Sequence, residues 1–264
     1  MKILLRRLAQ WLARDQYQAP RIPAAEWAET AAHLPLLRGF DPRERQRLEA
    51  LADRFITAKV FEGARGLEVT PRMQQVIALQ ACLPILELGL DWYDGWTAVI
   101  VYPSGFAPER VYVDEFGIEH QVREELAGEA WERGPVILSW EDAEYAGLED
   151  GYNPVIHEFA HKLDLRNGEP NGFPPLHAEM DRTNWTVAFS EAYEDFVRRC
   201  EQGQYIGIDE YAATSPGEFF AVISEVFFER PVRLREVYPE VYAQLRQFYR
   251  QDPFQRLVNF DARD

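Results

Sequence analysis

Apolar residues recur at helical spacing in two segments of the first third of the chain. Residues 43–56 are predicted to form a helix, because Asp41 supplies an N-cap and Pro42 a first-turn proline. The apolar positions on one face of this helix are Leu48, Leu51, Ala52 and Phe55. A second helix is predicted to begin at Thr70-Pro71.

The pattern then changes to one that is typical of strands. Residues 95–102 (GWTAVIVY) are rich in β-branched and aromatic side chains and end at Pro103, which predicts a strand. Residues 109–114 (ERVYVD) alternate and are predicted to pair with it, and residues 135–140 (PVILSW) are predicted to be a third strand. From Asn153 the chain becomes mostly helical again. Helices, then strands, then helices favour an α+β domain over a doubly wound sheet.

The first fourteen residues have a separate pattern. They carry four cations and no acid, and two of the cations, Arg6 and Arg7, interrupt the apolar stretch that a signal peptide needs. The apolar residues with helical spacing are Leu4, Leu5, Leu8, Trp11 and Leu12. We expect an amphipathic helix that docks on the acidic remainder of the chain. A helix lying on a membrane surface is the alternative, but a single short helix with four cations is a weak anchor.

The charge balance narrows the classes of function. The 264 residues include 44 acidic and 28 basic side chains, so the net charge is −16. This opposes binding to the phosphates of nucleic acids and to anionic lipid. No stretch approaches the ~18 apolar residues of a membrane span. Cys82 and Cys200 are too few for a disulfide framework or a cysteine-based zinc site. We therefore predict a cytoplasmic protein with two free thiols and with neither a nucleic-acid partner nor a membrane partner.

The segment VIHEFAHKL carries the candidate chemistry, because His157, Glu158 and His161 form the pattern H-E-x-x-H. Asn153 as N-cap and Pro154 as first residue place the pattern at the start of a helix. Residues four apart share a helix face, so both imidazoles can bind one metal ion. Glu158 lies about 100° further round, where it can take a proton from a zinc-bound water. The alternative is an ordinary helix that carries two histidines.

A catalytic zinc site needs a third protein ligand and one open position. The extended motif with a third histidine is absent, because Asp164 and Asn167 occupy its glycine and histidine places. The remaining histidines, for which we expect surface or structural roles, are His33, His120 and His177. A downstream carboxylate is therefore predicted as the third ligand. Spacing leaves six candidates: Glu179, Asp181, Glu191, Glu194, Glu218 and Glu225.

Two of these carboxylates belong to a segment that is predicted to be a buried helix, residues 214–228. Ser215 is its N-cap, Pro216 its first residue, and Glu218 follows three residues after the cap. A capping box is thus the alternative to metal binding for Glu218. Glu225 follows seven residues later, on roughly the same face. A carboxylate on a buried helix must be paired, protonated or bound to metal, which favours this helix and leaves the choice between the two open.

Three blocks resemble a known family: HEFAHKLD at 157–164, NGFPPL at 171–176 and YAATSPGEFFAVISEVFF at 211–228. They are similar to the Mlc titration factor A (MtfA) family, and the resemblance covers nearly the whole chain. The catalytic domain of anthrax toxin lethal factor is a more distant relative with the same layout. The resemblance implies a zincin-like α+β metallopeptidase fold with a small mixed or antiparallel sheet. Residues 1–70 would be a helical region packed on a catalytic region, 71–264, in one compact domain.

The resemblance also implies roles for single residues. The family's zinc ligands fall on His157, His161 and Glu218, and its catalytic glutamate falls on Glu158. Its tyrosine seven residues before the third ligand falls on Tyr211, which is implied to stabilise the transition-state oxyanion. An ordinary half-buried tyrosine is the alternative for that position.

Two details of the predicted site have alternatives. Asp164 either hydrogen-bonds to a ligand histidine or lies on the helix surface. An exposed strand beside the metal helix could hold an extended peptide by main-chain pairing, and strands 95–102 and 135–140 are the candidates.

Two functions from different classes follow. The first is a zinc-dependent peptidase with one zinc ion per chain, in which Glu158 activates the zinc-bound water. The resemblance implies that its activity is aminopeptidase-like and acts on short peptides. The second is a binding protein, because the family is named for sequestering Mlc, a transcriptional repressor, and sequestration needs no turnover. A purely structural zinc ion ranks last, since Cys82 and Cys200 lack paired spacing.

Overall fold

A computed structural model describes residues 22–105 and 134–262 and, between them, the backbone of three short strands. The amphipathic helix predicted for residues 1–14 and the side chain of His120 lie outside the described residues. Among the described helices, none is both long and apolar enough to cross a membrane.

Within residues 22–105, three α-helices precede most of the sheet: α1 (Ala24–Ala32), α2 (Pro42–Ala58) and α3 (Pro71–Cys82). The cap predicted for α2 is confirmed, because the side chain of Asp41 accepts hydrogen bonds from the backbone nitrogens of Arg43 and Glu44. Thr70 caps α3 in the same way. Both helices predicted in this part of the chain therefore form, and their polar starts fix where each begins.

The strands are β1 (Val60–Gly63), β2 (Ala98–Tyr102), β3 (Glu109–Val113), β4 (Glu119–Arg123), β5 (Gly128–Ala130) and β6 (Val136–Ser139). Four of them form a mixed sheet in the order β1-β2-β6-β5, in which only β5 runs antiparallel to its neighbour. The predicted pairing of residues 109–114 with residues 95–102 is wrong. β3 instead forms an antiparallel hairpin with β4, because β1 and β6 already occupy both sides of β2.

Seven helices follow: α4 (Trp140–Tyr145), α5 (Pro154–Asp164), α6 (Arg182–Glu201), α7 (Pro216–Glu229), α8 (Pro231–Val237), α9 (Pro239–Tyr249) and α10 (Pro253–Asp261). Five of these begin with a proline, whose missing N–H costs nothing in the first turn. α5 packs against α7, β5 and β6. The chain thus has the expected α+β, zincin-like arrangement of a small sheet among helices.

The core holds α5 in place through the face opposite its two histidines. Phe159 is fully buried there and packs against three aromatic rings. Its ring centroid lies 5.6 Å from that of Phe55, 5.0 Å from that of Tyr93 and 5.7 Å from that of Trp96. Because this face is anchored, the opposite face of α5 presents its histidines toward α7.

Candidate metal centre

The start of α5 positions both histidines of the motif. The side chain of Asn153 caps the helix by accepting a hydrogen bond of 2.9 Å from the backbone nitrogen of Ile156. His157 and His161 then fall on one face, with the two Nε2 atoms 3.2 Å apart. Such an approach of two ring nitrogens is what a shared metal ion would require.

Glu218 completes the cluster from the first turn of α7. Its Oε2 lies 3.0 Å from Nε2 of His157 and 3.1 Å from Nε2 of His161. These three residues form a group of ligand atoms that could hold a metal ion, with all atoms within 4.8 Å of one another. The predicted cap also forms, but through the backbone nitrogen of Glu218, which donates to Ser215 Oγ at 3.1 Å. The carboxylate itself faces the histidines.

The other candidate ligands lie elsewhere. Glu179 pairs with Arg250, and Asp181 caps the start of α6. Glu191 and Glu194 are exposed on α6. The histidines outside the motif also fit the expected roles, since His33 is exposed and His177 lies 2.8 Å from the carbonyl oxygen of Phe248.

Glu225 contacts His157 through Nδ1, the ring nitrogen that does not face Glu218 and His161. Its Oε1 lies 2.8 Å from Nδ1 of His157. A proton on Nδ1 serves this carboxylate and leaves the Nε2 lone pair facing Glu218 and His161. In the metal-free chain, a proton on Nε2 of His157 can bridge to Glu218, and a cation would replace that proton and bind the three converging atoms. The donor set of two nitrogens and one oxygen suits zinc and leaves a fourth position open.

The groups of the cluster shift one another's pKa values. Burial lowers the pKa of His157, but its hydrogen bonds to Glu218 and Glu225 outweigh this, and the pKa lies well above its usual value. Burial raises the pKa of Glu218, but hydrogen bonds to His157 and His161 hold it well below its ordinary value. Glu218 therefore stays ionised, as a metal ligand must.

A network behind the cluster was not foreseen from the sequence. The second oxygen of Glu225 accepts a hydrogen bond from the backbone nitrogen of Asn153. The side-chain nitrogen of Asn153 donates to Gln80 and to Glu229, at 2.8 Å each. Glu218, Glu225 and Glu229 stand seven and then four residues apart, so α7 carries all three on one face. This spacing is the signal in the sequence that points to a shared face, but it does not show which partner each carboxylate contacts.

Tyr211 and Glu158 both lie near the histidines. Tyr211 belongs to a 3₁₀ turn, Glu210–Ala213, and its ring centroid lies 6.0 Å from that of His157. Its side chain remains 46% exposed. Glu158 is buried, with 5% of its surface accessible. The structure therefore places both predicted catalytic residues beside the metal-facing cluster.

Asp164 has a different role from either of those predicted. It is fully buried, which excludes the surface position, and its Oδ2 accepts a hydrogen bond of 2.7 Å from the backbone nitrogen of Gly172. Its Oδ1 and the Nδ1 of His161 are buried and have no hydrogen-bond partner among the described residues. Asp164 thus fastens the NGFPPL loop to the end of α5 instead of orienting a histidine. Gly172 also lets the loop lie against the start of α7, because a Cβ there would lie 2.6 Å from the carbonyl oxygen of Pro216.

The two strands predicted to hold a peptide cannot do so along these segments. β2 lies between β1 and β6, and β6 lies between β2 and β5, so both have neighbours on each side. The edge of the sheet on the side of α5 is β5, Gly128–Ala130.

The buried carboxyl group of Glu229 is expected to make the free energy of unfolding depend on pH. Burial raises the pKa of its carboxyl group to about 7, although hydrogen bonds from Asn153 and Glu149 oppose the shift. The folded chain then keeps a proton that the unfolded chain loses above about pH 4.5, so stability falls as pH rises from there to about 7. The shift corresponds to about 3 kcal/mol.

We expect Glu229→Gln, which cannot titrate, to flatten this fall in the free energy of unfolding, measured by urea denaturation across that pH window. Glu236→Gln, on the exposed side of the neighbouring helix α8, is the control and should keep the wild-type slope. An unchanged slope in Glu229→Gln would contradict the assignment.

The site and fold together define a class of protein. An α+β, zincin-like fold in which two helix histidines face a glutamate from a later helix is the arrangement of a metallopeptidase. The model of the family described as glucose-regulated metallo-peptidase M90 matches residues 8–250, and the chain belongs to this family.

Two relatives agree with that membership. Mlc titration factor A of Yersinia pestis (strain Pestoides F) is 40% identical over 240 residues, which cover 90% of this chain and 88% of the relative. Mlc titration factor A of Yersinia pseudotuberculosis serotype O:1b (strain IP 31758) is similar to the same extent. The family resemblance drawn from three sequence blocks is therefore confirmed, and with it a metallopeptidase fold.

Proposed function

We propose that this chain is a zinc-dependent peptidase that acts in an aminopeptidase-like manner on short peptides. The observation that carries the proposal is the convergence of Nε2 of His157, Nε2 of His161 and Oε2 of Glu218. We assign these three atoms as the ligands of one zinc ion. Membership of a metallopeptidase family supports hydrolysis as the use of that ion.

The chain's own residues supply the acid–base chemistry. A zinc ion held by these three ligands would supply Lewis-acid polarisation of a carbonyl group and a lowered pKa of water. Glu158, buried next to the two ligand histidines, takes the proton from the attacking water and passes it to the leaving amine. Tyr211, beside the ring of His157, donates a hydrogen bond to the oxyanion that develops on the carbonyl. Glu225 keeps His157 oriented through Nδ1.

The peptide is held at the edge of the sheet. β5 is the edge strand that packs against α5, and a strand added to this edge would run next to the helix that carries His157 and His161. Main-chain pairing supplies affinity without selecting a sequence. Short peptides of varied sequence are therefore the substrate class that this edge favours.

The test is hydrolysis of alanine p-nitroanilide and of its N-acetylated form. We expect activity on the free amine to disappear with 1,10-phenanthroline, to return with added zinc, and to persist with the non-chelating isomer 1,7-phenanthroline. The N-acetylated substrate should be cleaved more slowly. Hydrolysis that survives complete metal removal contradicts metal dependence, and equal rates on the two substrates contradict aminopeptidase-like action.

The relatives' name supports a second function. They are called titration factors of Mlc, so we infer that this chain also binds an Mlc-like repressor. The alternative to a peptidase that also binds a repressor is a binding protein whose peptidase activity has little physiological use. Sedimentation of the repressor with Glu158→Gln distinguishes the two. Binding that is intact in this variant supports sequestration without turnover, and binding that disappears with hydrolysis contradicts it.

A further inference from the structure

A second cleft lies outside the metal centre. It has a volume of about 730 Å³ and contains none of His157, His161, Glu158, Glu218 or Tyr211. Its walls come from α8, from α10, and from the loop that precedes α5. This volume falls within the range of small-molecule sites, roughly 300–1,000 Å³.

The lining of the cleft includes three arginines and three glutamates: Arg38, Arg230, Arg233, Glu149, Glu229 and Glu236. Arg38 is paired there with Glu149, at 3.1 Å, and Arg233 lies 3.6 Å from Glu236. Arg230 differs from both, because no carboxylate lies within ion-pair distance of it among the described residues. The acceptor it has is the carbonyl oxygen of Gly207, at 3.5 Å from Nη1.

Two glycines make room for these arginines. A Cβ on Gly151 would lie 3.1 Å from Cδ of Arg230, and one on Gly207 would lie 3.3 Å from Nε of Arg233. Both glycines have positive φ, 94° and 73°. The backbone therefore bends close to the guanidinium groups at positions where a side chain would crowd them.

Apolar residues that are open to solvent also line the cleft. Val232 is 45% exposed and Val258 is 43% exposed. Phe254 lies on the same helix as Val258, and its ring contacts the guanidinium group of Arg235 on α8, at 4.1 Å. An exposed apolar wall next to a cation suits a ligand with an anionic group and an apolar body.

We propose that this cleft binds a small organic anion, with its carboxylate or phosphate group on Arg230 and its apolar body against Val232, Phe254 and Val258. Arg38 and Arg233 flank the anion and keep their own carboxylate partners. A charge-assisted bond to a planar guanidinium favours carboxylate and phosphate over neutral groups.

The experiment is calorimetric titration of the zinc-loaded full chain with phenyl phosphate and with hexanoate, against phenol and hexanol as neutral counterparts. We expect saturable binding of both anions and none of the neutral molecules. Arg230→Gln should weaken anion binding by about tenfold or more. Arg72→Gln removes a cation that pairs with Glu144 outside the cleft, and it should bind as the wild type does.

Two further arms separate this site from the metal centre. Val258→Asp places a negative charge on the exposed rim and should also weaken anion binding, with a fold that an exposed position leaves intact. The metal-free chain should bind the anions as the zinc-loaded chain does. The proposal is overturned if binding is absent, if it is equal in Arg230→Gln, or if it is lost with the metal.

Discussion

Replacing Glu158 by glutamine is expected to lower kcat/KM for peptide hydrolysis by about 10²–10⁴-fold, the contribution of a positioned general base. Glutamine has the same shape but cannot take a proton from water. The three converging ligand atoms belong to His157, His161 and Glu218, so the variant should still bind one metal ion per chain. Hydrolysis of alanine p-nitroanilide and elemental analysis of the same sample measure the two effects together.

Tyr211→Phe is the matched comparison for this variant. It removes one hydroxyl group and keeps the base and all three ligands, so its metal content should equal that of the wild type. Its activity should fall by up to about 10³-fold, as for loss of one oxyanion donor. Glu158→Gln that retains wild-type activity, or that loses its metal, would contradict the role assigned to Glu158.

Replacing Glu218 by alanine is expected to abolish stoichiometric metal binding. It removes the oxygen that lies 3.0 and 3.1 Å from the two histidine nitrogens. Two imidazoles alone leave a zinc site one protein ligand short. Competition with a chromophoric chelator measures the dissociation constant.

Glu225→Ala separates a ligand from a residue that orients one. It keeps all three ligand atoms but frees Nδ1 of His157, so the metal affinity should fall by about 10–100-fold, and occupancy should be restored by excess zinc. Glu191→Ala, an exposed position on α6, is the control and should bind zinc as the wild type does. A Glu225→Ala variant that loses zinc as completely as Glu218→Ala would show that the assignment of the two glutamates is wrong.

Local signals predicted the helices well because their causes are local. Asp41 and Thr70 cap helices through backbone groups two or three residues away, and Asn153 does the same for the helix of the motif. Strand pairing depends on distant neighbours instead. The hairpin of β3 and β4 and the short strand β1 were therefore missed, since the sequence of β2 does not show that both of its sides are occupied.

In the candidate site, too, features that depend on local spacing could be predicted, and features that depend on the packing of distant elements could not. The spacing of His157 and His161 dictates a shared helix face, and this could be predicted. The choice between Glu218 and Glu225 depends on how α7 docks on α5, and seven residues of spacing put both on the same stripe. Only the packed helices show that one glutamate meets Nε2 and the other Nδ1 of the same histidine.

The central claim is that His157, His161 and Glu218 hold one zinc ion, and X-ray absorption spectroscopy at the zinc edge tests it most directly. We expect two imidazole nitrogens at about 2.0–2.1 Å, oxygen atoms at about 2.0–2.2 Å, and no sulfur. After dialysis, Glu218→Ala should give no comparable zinc-edge signal, because two imidazoles alone leave the site one protein ligand short. A sulfur shell at about 2.3 Å, or fewer than two imidazoles in the wild type, would contradict the account.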